Sequence, residues 1–135
     1  RSIMHDYFVA GGGPSLDKMR ALIARLECLD DDKVSEEGVR LRYEASINPG
    51  FQTLLKTPGA FGEWENLAPV FARVRAPTLI FWGLHDWFGG IDVPMLMLNQ
   101  FADARLHVIG RAAHHLQSEC PDEFNAHLLA FLEGR

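Results

Sequence analysis

Residues 77–117 read PTLIFWGLHDWFGGIDVPMLMLNQFADARLHVIGRAAHHLQ, and two apolar runs inside this stretch decide the fold. The first, Thr78 to Trp82, is rich in β-formers and is stopped by Gly83, which predicts a short buried strand. The second, Arg105 to Ile109, is stopped by Gly110 and predicts another. Between them, Val93 to Ala102 can supply a helical crossover. Strand, helix, strand with a right-handed crossover makes the strands parallel and puts the loops beyond them at one end of the sheet. Asp86 lies on the first of those loops and His114 on the second. Open α/β sheets place their chemistry at that edge. A carboxylate brought to an imidazole there can orient it as a base.

The rest of the chain narrows the class. At 135 residues it is long enough for one domain and too short for two ordinary ones. Its 47% hydrophobic content is that of a globular protein. A net charge of −5 argues against nucleic acid, which calls for a basic face. No apolar run approaches the roughly 20 residues of a membrane span. Cys28 and Cys120 stand far apart in no metal-like spacing, which favours two reduced thiols in a cytoplasmic protein. There is no signal-peptide pattern at the start of the sequence.

Upstream of the strands the chain reads as helices. Ser15 is a good N-cap, and Leu16, Met19, Leu22, Ile23 and Leu26 form one apolar helical face. Gly11-Gly12-Gly13-Pro14 before it reads as loop punctuation rather than a phosphate cradle, since no strand-to-helix unit surrounds it. Asp30-Asp31-Asp32 reads as a solvated loop. Ser35 opens a second helix, with Val39, Tyr43 and Ser46 on one side and Arg40, Arg42 and Glu44 polar. Asn48-Pro49-Gly50 reads as a turn, succeeded by a short apolar segment from Phe51 to Leu55. Trp64, Leu67, Val70 and Phe71 then lead toward the first strand. A last helix starts at Pro121 and turns Phe124, Leu128, Phe131 and Leu132 to one face. His85, His107 and His127 read as loop, strand and surface residues, while the adjacent His114 and His115 are poorly placed to share one ion and have no third ligand spaced for zinc.

Two parallel strands do not make a stable sheet, because parallel strands are buried on both faces of a larger one. The chemistry is short of a part as well. Ser2, Ser15, Ser35, Ser46 and Ser118 are in no G-x-S-x-G elbow. The chain reads as the second half of a catalytic α/β fold.

From about Pro14 onward it resembles the C-terminal half of an α/β-hydrolase of the meta-cleavage-product hydrolase group. The likeness rests on TLIFWGLHDWFGGID (78–92), on ARLHVIGRAAHHLQSECPDEFN (104–125), and on a helical segment, Pro14 to Glu65, similar to the group's lid. It implies a helical lid over residues 1–65 and the C-terminal part of the hydrolase core over 66–135. It implies hydrolysis of a carbon–carbon bond in a 2-hydroxy-6-oxo-hexa-2,4-dienoate. Asp86 matches the triad acid and His114 the triad base, while Arg42, within RLRYEAS (40–46), matches an arginine that binds the substrate's carboxylate end. The serine would lie in an N-terminal half of the same enzyme, the partner this chain needs. The resemblance further implies a small-molecule dienoate substrate, no cofactor or metal, and assembly into a homo-oligomer. This sequence departs from the pattern at Trp87, where the group has arginine, and at His115, where it has tryptophan. His115 is also a second candidate for the base, although the G-x-x-x-H spacing from Gly110 favours His114. Other α/β-hydrolase chemistries (esterase, epoxide hydrolase, haloalkane dehalogenase) and a non-catalytic interaction module are the alternative readings.

Overall fold

The computed structural model describes residues 3–60 and 68–134. Its backbone divides into two compact units, Arg1–Arg25 with Asp30–Glu65, and Leu26–Leu29 with Asn66–Arg135. The expected lead-in residues Trp64 and Leu67, and the expected boundary at 65/66, lie outside the described residues.

The first unit is helical. It contains α1 (Ile3–Phe8), most of α2 (Leu16–Leu26), α3 (Glu36–Ser46) and α4 (Pro49–Lys56). Ser15 accepts from the Lys18 amide at 3.3 Å and Ser35 from the Gly38 amide at 3.2 Å, so both expected N-caps form. The apolar periodicity of α2 buries Met19, Leu22 and Ile23, and Tyr7 of α1 and Val39 of α3 are buried as well. Leu16 is exposed, outside the face expected of it. Tyr7 is 1% exposed. Its hydroxyl donates to Ser46 Oγ at 2.5 Å, and that hydroxyl donates in turn to the Tyr43 carbonyl at 2.7 Å. Burial raises the Tyr7 phenol above its ordinary pKa.

One segment differs from the sequence reading. Asn48-Pro49-Gly50 is the start of α4 rather than a free turn. The Asn48 side chain accepts from the amides of Gly50, at 2.9 Å, and Phe51, and Pro49 fills the first helical position. The triple glycine is a single 3-10 turn in which all three glycines have positive φ. Lys18 Nζ donates to the carbonyls of Ala10 and Gly13. The loop turns carbonyl oxygens to a cation, the opposite of an anion cradle.

The second unit carries the sheet. After α5 (Ala68–Phe71) come β1 (Thr78–Gly83), α6 (Asp92–Gln100), β2 (Ala104–Ile109), α7 (Leu116–Glu119) and α8 (Pro121–Leu132). β1 and β2 pair in parallel from Thr78↔Ala104 to Gly83↔Ile109. Adjacent strand residues point to opposite faces. Phe81 meets Phe124 of α8 at 4.4 Å between ring centroids, so α8 covers that face. On the other, the Trp82 indole donates to the Gly89 carbonyl at 3.2 Å, beside the start of α6. Ile109, Ala112, Leu116 and Cys120 form a small core beneath the second loop. Both cysteines are buried.

Candidate active site

The two loops leaving the C-terminal ends of the strands are laid against each other by their backbones. The Leu84 amide donates to the Ile109 carbonyl at 3.0 Å and the His85 amide to the Ala112 carbonyl at 3.1 Å. This approach demands glycine at position 83. A Cβ there would stand 1.9 Å from the Ala113 carbonyl oxygen and 2.7 Å from that of Ala112. The W-G pair that ends β1 is therefore a steric condition for the histidine loop.

Asp86 and His114 meet across this junction. His114 Nδ1 is 2.9 Å from Asp86 Oδ2, and the Asp86 side chain is only 6% exposed against 41% for His114. An ionised carboxylate only accepts, so Nδ1 donates and the free lone pair sits on Nε2. The other Asp86 oxygen accepts from the Phe88 amide at 2.7 Å, which fixes the carboxylate within its own loop. The Phe88 ring lies 4.5 Å from that of His114. The acid is thus held from two sides while the base remains open.

His115, the rival base, points elsewhere. Its amide donates to the Glu27 carbonyl at 3.0 Å and its Nε2 lies 3.5 Å from Glu27 Oε2. The Glu27 side chain is 4% exposed. Asp86 is bonded by His114 and His115 is bonded by Glu27, with the two rings 5.5 Å apart. Arg42 is on α3 in the other unit, half-buried, with its charge acting on Tyr7. His85 is an exposed loop residue.

Sequence reasoning missed Glu119. It is 5% exposed, and its carboxylate accepts from the amide of Ala113 at 2.7 Å and from that of Leu29 at 2.5 Å. One side chain thereby pins the residue before His114 and ties the histidine loop to segment 26–29. A buried glutamate five positions after a histidine was the available signal, masked by the exposed look of S-E-C-P. Glu27 was hidden in the same way, at the end of an amphipathic helix.

No family model matches the chain. It is 32% identical over 126 residues to a 2-hydroxy-6-oxo-6-phenylhexa-2,4-dienoate hydrolase of Comamonas testosteroni, covering 90% of this chain and 43% of that protein. It is 33% identical over 117 residues to a 2-hydroxymuconate semialdehyde hydrolase of Pseudomonas sp. (strain CF600), covering 82% and 41%. Among solved structures it superposes on the meta-cleavage product hydrolase of Pseudomonas fluorescens IP01 with a TM-score of 0.73 at 31% identity, over 92% of this chain and 47% of that one. A serine hydrolase involved in carbazole degradation, at 20% identity and a TM-score of 0.75, shares the fold. The chain spans less than half the length of the curated relatives it matches. In sequence and in backbone alike, the chain is similar to meta-cleavage-product hydrolases over about 90% of its length, a match consistent with the C-terminal half of such an α/β-hydrolase.

Proposed function

We propose that the complete protein hydrolyses the carbon–carbon bond of a 2-hydroxy-6-oxo-hexa-2,4-dienoate. The carrying observation is the 2.9 Å bond from His114 Nδ1 to Asp86 Oδ2, in a chain similar to enzymes named for such substrates. On this reading a serine on a strand-to-helix elbow in the N-terminal half is the third member of the triad. His114 Nε2 takes the proton of that serine or of a water, and Asp86 holds the tautomer and stabilises the imidazolium.

The chemistry sets an order. Protonating the dienol at C5 gives a ketone, so that C5 can leave with the bonding electron pair. Attack of the activated oxygen on the C6 carbonyl builds a tetrahedral oxyanion. Its collapse breaks C5–C6, and the electron pair passes into the conjugated 2-oxo acid, which becomes the dienol product. The C6 side leaves as a carboxylic acid containing the oxygen of water. Backbone amides of the N-terminal half hold the oxyanion. Arg42 binds the carboxylate of the dienoate by charge-assisted hydrogen bonds. Residues 1–65 act as the lid and 66–135 as the C-terminal part of the core. The enzyme works in the cytoplasm as a homo-oligomer and without a cofactor.

The test is the loss of dienolate absorbance with the complete polypeptide. Asp86→Asn and His114→Ala should each lower turnover by roughly 10⁴-fold, as in serine triads. Arg42→Ala should raise KM more than it lowers kcat. Near-normal turnover in either triad variant overturns the assignment. Cleavage of esters with no activity on dienoates would keep the triad and move the substrate.

A further inference from the structure

A second set of polar side chains lies on the α8 face of the sheet and includes neither Asp86 nor His114. His107 comes from β2, and Glu123 and His127 from α8. Four positions apart, the last two share one side of the helix. His107 Nε2 is 3.1 Å from Glu123 Oε1, and the rings of His107 and His127 are 3.6 Å apart between centroids, inclined by 31°. One ligand atom from each of the three lies within 4.8 Å of the others.

Two imidazoles and one carboxylate are the donor set that zinc takes in three-ligand sites, with solvent completing the shell. Around zinc, donors at about 2.0–2.1 Å stand roughly 3.3 Å apart. Drawing the present donors together to that spacing needs side-chain rotation alone. His127 is exposed and can rotate, and the side chains of His107 and Glu123 are 25% and 37% exposed, so an ion has a way in. Arg105 borders the same hollow, but its guanidinium lies over the Phe131 ring at 5.8 Å.

We propose that His107, Glu123 and His127 bind a divalent transition-metal ion of the zinc class, which clips α8 to β2. The sequence reading weighed zinc only at His114 and His115 and took His107 and His127 for strand and surface residues; here the first ligand is on a strand and the other two on a helix, 16 and 20 positions further on. Only the fold assembles the set. Its consequence is mechanical: α8 covers the sheet beneath the histidine loop, and an ion that binds the folded state alone stabilises that cover by mass action.

The experiment titrates Co²⁺ into the complete polypeptide, monitoring its visible d–d absorption, and records melting with and without Zn²⁺. The expected result is one equivalent bound in the micromolar range and a Tm raised by several degrees. His127→Ala, an exposed position that folding does not depend on, should abolish both, and Glu123→Gln should weaken binding at least tenfold. A His114→Ala/His115→Ala double variant should bind as before. The proposal is overturned by wild-type binding in His127→Ala, or by a signal lost in the His114/His115 variant instead. It is equally overturned if a hundredfold excess of either ion gives no spectrum and no shift in Tm.

Discussion

At the scale of single residues, the side chain that most constrains the candidate base is not one that touches it. Glu119 accepts two backbone amides with its two oxygens, one beside His114 and one in segment 26–29. Glu119→Gln keeps the volume but turns one acceptor oxygen into an amide NH2, a donor that then faces an N–H. A hydrogen bond to a charged group is worth about 1.5–3 kcal/mol, and a buried donor without an acceptor adds its desolvation cost. The variant should therefore lose about 2–4 kcal/mol of stability and several-fold in kcat, because the histidine loop loses its anchor. Urea denaturation and dienolate kinetics on the complete polypeptide check this. Unchanged stability would mean that the Ala113 and Leu29 amides find other partners.

At the scale of elements, the strands and their loops were legible because they obey local rules. Five-residue apolar runs ended by glycine became β1 and β2 within one residue of expectation, and Ser15 and Ser35 capped the helices they were expected to cap. Asn48-Pro49 was misread because the same residues favour turns and helix starts. Only the downstream residues separate the two, and Phe51 to Leu55 was too short to decide. The pairing of Asp86 with His114 could be read from the topology, since parallel strands deliver both loops to one edge. The Glu27–His115 and Glu119 contacts could not, because they depend on how segment 26–29 folds back onto loops some 90 positions away. Gly83 was read as a strand stop, and the structure gives it a second duty. Its φ is not in the left-handed region, so alanine meets no backbone strain there. Gly83→Ala is therefore a clean test of the close approach alone. It should cost upward of about 3 kcal/mol by overpacking against the Ala112 and Ala113 carbonyls. It should also move His114 away from Asp86 and lower kcat by orders of magnitude. The measurements are Tm and the kinetics of the folded fraction, and a Tm within a degree of wild type would refute the steric argument.

At the scale of the whole molecule, the sheet has two strands only among the described residues, and much apolar surface around it meets solvent. Trp87 is 74% exposed, Leu132 70%, Leu96 59%, Leu129 57% and Phe88 56%. Parallel strands are seldom stable without neighbours, and an open strand edge beside apolar patches invites pairing with another chain. Among the described residues no helix is long and apolar enough to cross a membrane. The 135 residues expressed by themselves should accordingly self-associate and bind a hydrophobic dye such as ANS. Co-expression with the N-terminal half proposed above should suppress dye binding and give one species of defined mass, the proposed homo-oligomer. Size-exclusion chromatography with light scattering, run beside ANS fluorescence, separates the outcomes. A dye-silent monomer would show that the two strands and their helices bury enough on their own, and would remove the physical reason for requiring the other half. A monomer of the two halves in the co-expressed material, with dye binding gone, would instead keep the completed fold and overturn the proposed homo-oligomer.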